Sequence, residues 1–181
     1  VMREIRTKPG DLFSRSDIIR SQRELAQLGY FDPEKLNVDI DPDPIKHSVD
    51  VNYIVEEKPS DQINLQGGWG AGRVVGSLGL VFNNFSASNI FNKNAWSPLP
   101  TGDGQRLSLT ASSNGIYYQN YNVSFTEPWL GGKKPTSLSV SFYKSVSSNG
   151  QTGDDRESIE ITGATIGLGK RLKYPDDYFT L

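Results

Sequence analysis

The sequence predicts two parts. Residues 1–59 read as a small α+β module, and residues 60–181 as antiparallel strands of a transmembrane β-barrel. Three observations carry this. Near Ser60 the spacing of apolar residues changes from a helix-and-strand mixture to a sustained period of two. The positions between those apolar residues are Ser, Thr, Asn, Gln and Gly with few charges, whereas a soluble sandwich exposes Lys and Glu. Trp96 and Trp129 fall near predicted strand ends, where interfacial aromatics belong.

Composition bounds the function. The chain has 181 residues, 35% of them hydrophobic, and 18 glycines that suit turn-rich β-structure. Mean hydropathy is −0.49, but barrel strands alternate and average out as polar, so a membrane is not excluded. No run approaches the about 18–20 apolar residues of a spanning helix. A net charge of −2 offers no basic footprint for nucleic acid. There is no cysteine, hence no disulfide and no thiol catalysis. Val1 in place of a start Met, and a strand-like DDYFTL at the other end, lead us to expect a piece of a longer chain.

In the first part, Ser14 with Asp17 three residues on resembles a capping box. A helix follows through Leu28, with Ile18, Ile19, Leu25, Ala26 and Leu28 on its apolar face. Gly29 is placed as its C′ residue. Leu36, Val38 and Ile40 alternate in one strand, and Val49, Val51, Tyr53 and Val55 in the next. Asp41 to His47 is expected to connect them, and Lys58-Pro59 to end the module.

In the second part, DQINLQGGWG puts Ile63, Leu65 and Trp69 on one parity and Gln62, Asn64 and Gln66 on the other. Gly67, Gly68 and Gly70 then remove the side chains that normally pack a strand. Four more strands centre on Leu78–Phe82, Leu107–Ala111, Tyr121–Phe125 and Leu138–Phe142. Each is expected to run the about 9–11 residues that cross a bilayer at a tilt. In a sixth, Ser158 to Lys170, Ile159 and Ile161 share one parity and Ala164, Ile166 and Leu168 the other. A bulge near Gly163 is expected to make the switch.

The order is helix, Gly-Tyr-Phe turn, hairpin, then alternating strands. LAQLGYFDPEKLNVDI followed by SVDVNYIVEEKPS resembles the last POTRA domain of the BamA-type outer-membrane assembly factors. DQINLQGGWG is similar to that family's first barrel strand. NNFSASNIF and SFTEPWLGGKKP resemble the periplasmic turns after its second and fourth strands. A POTRA module has a further strand, expected before Val1. The family's inward loop with an Arg-Gly-Phe element belongs to later strands. The resemblance thus implies most of one POTRA domain and the first part of a barrel of about sixteen strands. Six strands cannot close a barrel of that width.

The resemblance implies a protein of the bacterial outer membrane with its N-terminal module in the periplasm. Its partners would be unfolded outer-membrane β-barrel proteins, accessory assembly-complex subunits of the lipoprotein kind, periplasmic chaperones and the lipid bilayer. It implies no cofactor, no metal and no bond chemistry. Such proteins insert other barrels by pairing a guest strand with the first strand at a lateral seam. The expected site is that edge: Gln62, Ile63, Asn64, Leu65, Gln66, Gly67, Gly68, Trp69 and Gly70. Its glycines forgo cross-strand side-chain terms of roughly 0.2–1 kcal/mol each, which gives a seam that pairs and can part. Glycines that merely let a barrel curve are the alternative. The Asn92–Gly104 connection is long for a periplasmic turn, and Trp96 with Trp129 is a candidate docking surface for an accessory subunit or the module itself.

Other candidates are weaker. Asp39, Asp41 and Asp43 lack the glycine and distal glutamate of a calcium loop, and Pro42 and Pro44 suit a turn. His47, the one histidine, is expected to be solvated. GGWGAG lacks the Gly-Lys-Ser/Thr of a phosphate loop. Glu56 and Glu57 point to opposite faces of a strand and cannot act as an acid–base pair. Asn84-Phe-Ser86 and Asn122-Val-Ser124 match the glycosylation pattern by chance. Two other functions stay open: a two-partner-secretion transporter threading polypeptide past lumen residues such as Asn122 and Ser124, and a soluble secreted β-domain with a binding face.

Overall fold

A computed structural model describes residues 2–70, 73–96, 98–132, 136–172 and 174. The DDYFTL segment and Lys133-Lys134-Pro135 lie outside the described residues. The described part is mostly antiparallel β-sheet with one α-helix, and it divides into two units, Val1–Ser60 and Asp61–Leu181. No helix among the described residues is long and apolar enough to cross a membrane, which says nothing of strands.

In the first unit, helix α1 spans Arg15–Gln27. Ser14 is its N-cap and accepts a hydrogen bond from the Asp17 amide at 3.4 Å. Gly29, at φ +82°, ends it in the left-handed region that glycine enters freely. Ile18, Ser21 and Leu25 form the buried stripe. Ile19, expected on that face, is exposed: one residue on from Ile18 turns the side chain about 100° away. Ser21 takes the place of an apolar residue because its hydroxyl accepts from the Arg6 amide at 2.9 Å. Arg6 also holds Glu24 through Nε and Nη2, at 3.0 and 2.9 Å.

Strands β1 (Asn37–Asp43) and β2 (Ser48–Ile54) form a two-stranded antiparallel sheet. The expected connection at Asp41–His47 is shorter in the structure. Pairing continues to Asp43 opposite Ser48, and residues 44–47 turn. The Asp43 carboxylate sets that turn by accepting from the Ile45 and Lys46 amides at 2.9 and 3.1 Å. These bonds, with the Lys46 ammonium, hold its pKa below the ordinary carboxylate value. After α1 the chain folds back on the residues following β2. The Asp32 amide donates to Glu56 O at 2.9 Å, and the Lys58 amide to Tyr30 O at 3.0 Å. Phe31 thereby enters a core with Ile5, Leu25 and Leu36, and Tyr30 meets Phe31 edge-on at 4.8 Å.

The second unit is one six-stranded sheet in sequence order. Its strands are β3 (Gln62–Gly70), β4 (Arg73–Phe85), β5 (Gln105–Ser113), β6 (Tyr118–Glu127), β7 (Thr136–Ser148) and β8 (Ser158–Lys170). The sheet is open, with β3 and β8 at its edges, and is not a closed barrel. β4 and β7 each run 13 residues, longer than expected, and β8 has the expected bounds, Ser158–Lys170. Residues 86–104 and 128–135 connect strands at the end of the sheet where β3 begins. Residues 114–117 and 149–157 do so at the opposite end.

The register corrects the reading of β8. It pairs with β7 without interruption from Lys170 opposite Thr136 to Ser158 opposite Ser148, so no bulge occurs at Gly163. The switch lies in residue type: Ile159 and Ile161 sit on the otherwise polar face. The register shift falls instead between Phe82 and Phe85 of β4. There Asn84 takes φ +58°, its carbonyl accepts from the Gly102 amide at 2.9 Å, and its side chain accepts from the Gly104 amide at 3.0 Å.

Burial, reinforced by the Glu4 and Glu57 carboxylates, pushes the Tyr30 phenol up from 10.0 to about 12. The folded state therefore holds this proton more tightly than the unfolded chain does. Its contribution is complete below the unfolded pKa and is lost as pH rises from 10.0 towards about 12. Tyr30→Phe cannot ionise, so it is expected to lose less stability across that window than the wild type. Urea unfolding of both at about pH 9 and pH 11 measures the difference.

Candidate functional site: the edge of the first sheet strand

Alternation of side chains and the antiparallel ladders, interrupted by the register shift between Phe82 and Phe85, sort the sheet into two faces. Ile63, Leu80, Leu109, Val123, Phe142 and Ala164 lie side by side in one row across all six strands. Phe82, Leu107, Phe125, Val140 and Ile166 make a second row on the same face. The opposite face carries rows such as Asn64, Gly79, Thr110, Asn122, Tyr143 and Gly163. Each expected polar position thus falls where the sequence pattern places it, Ile159 and Ile161 excepted.

The apolar face is open. Ile63, Leu65, Trp69, Phe142, Ile166 and Leu168 are all exposed. An apolar surface this continuous meets lipid or another protein. Its upper limit is marked on β7 and β8, where Lys144 and Glu160 occupy the same face and pair at 2.9 Å.

Gln62–Trp69 of β3 are exposed throughout. Ile63, Leu65 and Trp69 stand on the apolar face with Leu80, Leu78 and Val74 beside them; Gln62, Asn64 and Gln66 stand on the polar face. Gly67 lies opposite Gly76, and Gly70 opposite Arg73. A Cβ on Gly67 would meet only Val75 O, at 3.9 Å, and one on Gly68 only Val75 Cγ2, at 3.6 Å. These glycines therefore leave space unfilled. A hollow of about 410 Å³ opens there, lined by Gln66, Gly67, Gly68, Gly76, Ser112 and Tyr118 among others.

The β7–β8 seam uses glycine in the opposite way. The Tyr143 ring lies over Gly163, where a Cβ would fall 2.4 Å from Tyr143 Cζ. A Cβ on Gly167 would fall 2.7 Å from Ser139 Oγ. Aromatic cover of a cross-strand glycine fixes register. The sheet thus has a locked seam at β7–β8 and an underpacked one at β3–β4.

The two tryptophans occupy different settings. Trp129 follows β6 by two residues. Its amide donates to Glu127 Oε1 at 2.9 Å, and the Arg171 guanidinium lies 5.9 Å from its ring centre. Trp96 is not at a strand end as expected. It sits within the 86–104 connection after a 3-10 turn at Lys93–Ala95, bridged to Pro100. Sequence reading missed the base of this connection, where Ser86 and Gln105 are buried. His47 is exposed, and Glu56 pairs with Lys35. Among the described residues no group of three His, Cys, Asp or Glu could hold a metal.

The contrast between seams is testable by alanine. Gly67→Ala and Gly68→Ala meet no clash and are expected to raise the protection of β3 amides, by roughly 0.5–1 kcal/mol of local stability. Gly163→Ala is expected to cost about 1–3 kcal/mol through overpacking. Tyr143→Ala should remove that penalty in a double-mutant cycle. Hydrogen exchange of these single variants and of the Gly163→Ala/Tyr143→Ala double variant in lipid reads both effects.

Comparison with known families agrees with this architecture. Residues 1–58 match the POTRA model, described as surface antigen variable number repeat, and residues 101–181 match the Omp85 superfamily domain. β3 and β4 lie between the two matched segments. No curated protein matches the chain significantly. Omp85-family proteins are outer-membrane proteins with periplasmic POTRA domains. A POTRA module followed along one chain by an Omp85 domain indicates an Omp85-family protein.

Proposed function

We propose that this protein is a BamA-type assembly factor, which folds and inserts other β-barrel proteins into the outer membrane by templating a strand at the β3 edge. The observation that carries the reading is β3 itself: the first strand of the sheet, amphipathic along its length, with Gly67 and Gly68 leaving its far end underpacked. The family-level role, insertion or transport at the outer membrane, is compatible with it.

Edge strands present a row of backbone donors and acceptors. In lipid each unpaired group costs several kcal/mol, so a guest strand arriving without partners faces a steep barrier. Pairing along β3 supplies those partners where water cannot, the β-augmentation mode. Ile63, Leu65 and Trp69 would keep the joined sheet apolar towards lipid. Gln62, Asn64 and Gln66 would face the lumen. The glycine-rich end forgoes side-chain contacts, so a guest strand can join and later leave. Unfolded barrel proteins delivered by periplasmic chaperones are the substrates, and lipoprotein subunits are the accessory partners. The action lowers a kinetic barrier and makes or breaks no covalent bond.

Single substitutions Gln62→Cys, Asn64→Cys, Gln66→Cys and Gly68→Cys in the full-length protein test this, with a stalled barrel substrate carrying cysteines along its terminal strand. Disulfides in one fixed antiparallel or parallel register are the expected result. Capture of substrate from Asn122→Cys or Ser124→Cys on the polar face, with none from β3, would replace templating by transport through the lumen.

A further inference from the structure

The connection between β4 and β5 is a braced base carrying an apolar tip. In the base, the buried Ser86 hydroxyl donates to Asp103 Oδ2 at 2.7 Å, and the Ser88 hydroxyl to the same oxygen at 2.6 Å. The Ala87 amide donates to Gln105 Oε1 at 2.7 Å, and Gln105 Nε2 to Glu127 Oε2 at 2.6 Å. The Ser86 amide closes on Pro100 O at 2.8 Å, and Asn89 Nδ2 on Thr101 O at 3.1 Å. Charge-assisted bonds of this kind hold a loop in one conformation.

The tip is a turn closed by the Asn92 amide on Asn89 O at 2.9 Å. Its two central residues are Ile90 and Phe91, where turns favour Gly, Pro, Asn or Asp. Phe91 is 97% exposed and Ile90 43%. Trp96 is 46% exposed, and its indole N–H ties it to the tip by donating to Ile90 O at 3.3 Å. Three large apolar groups are thus displayed together on a braced support.

Charge and position indicate what they meet. From Ala87 to Leu99 the sequence has Lys93 and no Asp or Glu. The nearby carboxylates, Asp103 and Glu127, are engaged in the base. The connection also lies at one end of the apolar face, where Phe85 packs edge-on against Phe125 at 6.3 Å. Aromatic and aliphatic tips beside a cation, at the border of an apolar band, are the pattern of an interfacial anchor.

We propose that Ile90, Phe91 and Trp96 form a foot that inserts into the headgroup layer of the membrane at this end of the sheet, with Lys93 beside phospholipid phosphates. The proposal rests on the reading that the apolar face of β3–β8 meets lipid. The occupant is phospholipid, and a protein subunit is the competing occupant.

The test uses the full-length protein alone, in a cysteine-free background, in vesicles of phosphatidylethanolamine and phosphatidylglycerol with doxyl-labelled lipid. Ile90→Cys and Phe91→Cys, each carrying the fluorophore NBD, replace exposed tip residues and leave the base bonds in place. Phe142→Cys, labelled likewise, reports on the apolar face. The expected result is blue-shifted emission at all three positions. The doxyl group near the headgroup should quench the tip labels most, and the deep one Phe142. A lipid-buried Phe142 label with water-like, iodide-quenched tip labels overturns the foot and leaves the apolar-face reading standing. Tip labels that shift only after accessory subunits are added also overturn it, in favour of a protein contact. A water-exposed Phe142 label overturns both readings.

Discussion

Antiparallel pairing is the constraint on which the second unit depends. Once Ile63 stands opposite Leu80, and Leu80 opposite Leu109, alternation sends every second residue to the apolar face, up to the register shift between Phe82 and Phe85 of β4. A slip of one residue anywhere would carry Ser, Asn or Thr onto that face. Tyr143 over Gly163 guards the register at β7–β8, because a shifted strand would bring a Cβ into the ring. The β3–β4 pair has no such lock. Gly67 faces Gly76, and Gly79 faces Asn64, so its register rests on backbone bonds and on the pairs Ile63 with Leu80, Leu65 with Leu78 and Trp69 with Val74.

This asymmetry gives physical content to the question raised by a strand that ends in glycine. At Gly163 and Gly167 a neighbouring side chain fills the space that a Cβ would take. Gly67 and Gly68 differ, since their space stays empty and a methyl group would fit. What is forgone there is side-chain packing, while the backbone ladder with β4 remains continuous. An edge built in that way keeps its hydrogen-bonding register and gives up stiffness.

Much of this was legible in the sequence, for a physical reason. Period-two alternation is local, so Leu107, Leu109 and Ala111, or Leu138, Val140 and Phe142, announce a strand and its face without tertiary information. Ser14 and Gly29 announce helix ends for the same reason. What was not legible depends on partners. Gly163 resembled a bulge because its covering ring comes from Tyr143 on another strand. The real irregularity at Asn84 was hidden, since its positive φ is stabilised by Gly102 and Gly104 across the connection. Ile19 was misplaced by one helical step, and Ser21 was invisible as a core residue until Arg6 supplied its hydrogen bond. Trp96 looked like a strand-end aromatic, and only the fold of residues 86–104 moves it to the tip of a loop. The site edge was legible as a pattern, whereas the emptiness beside Gly67 and Gly68 was not.

The polar network under that loop bears on how the sheet tolerates a loose edge. Gln105 begins β5 and bonds Glu127 at the end of β6, while the Ala87 amide just beyond β4 bonds Gln105. Three consecutive strands are therefore clamped at the end where β3 starts. Asp61, just before β3, adds a fourth tie by accepting from the Asn83 amide of β4 at 3.0 Å. β3 is thus held at its beginning and underpacked at its glycine end. At the other end Gly70 pairs with Arg73 and Trp69 stands beside Val74, so β3 is held to β4 at both ends and lacks packing side chains at Gly67 and Gly68 between them. The clamp thus fixes where β3 begins, and the glycines lower its stiffness without breaking its ladder with β4.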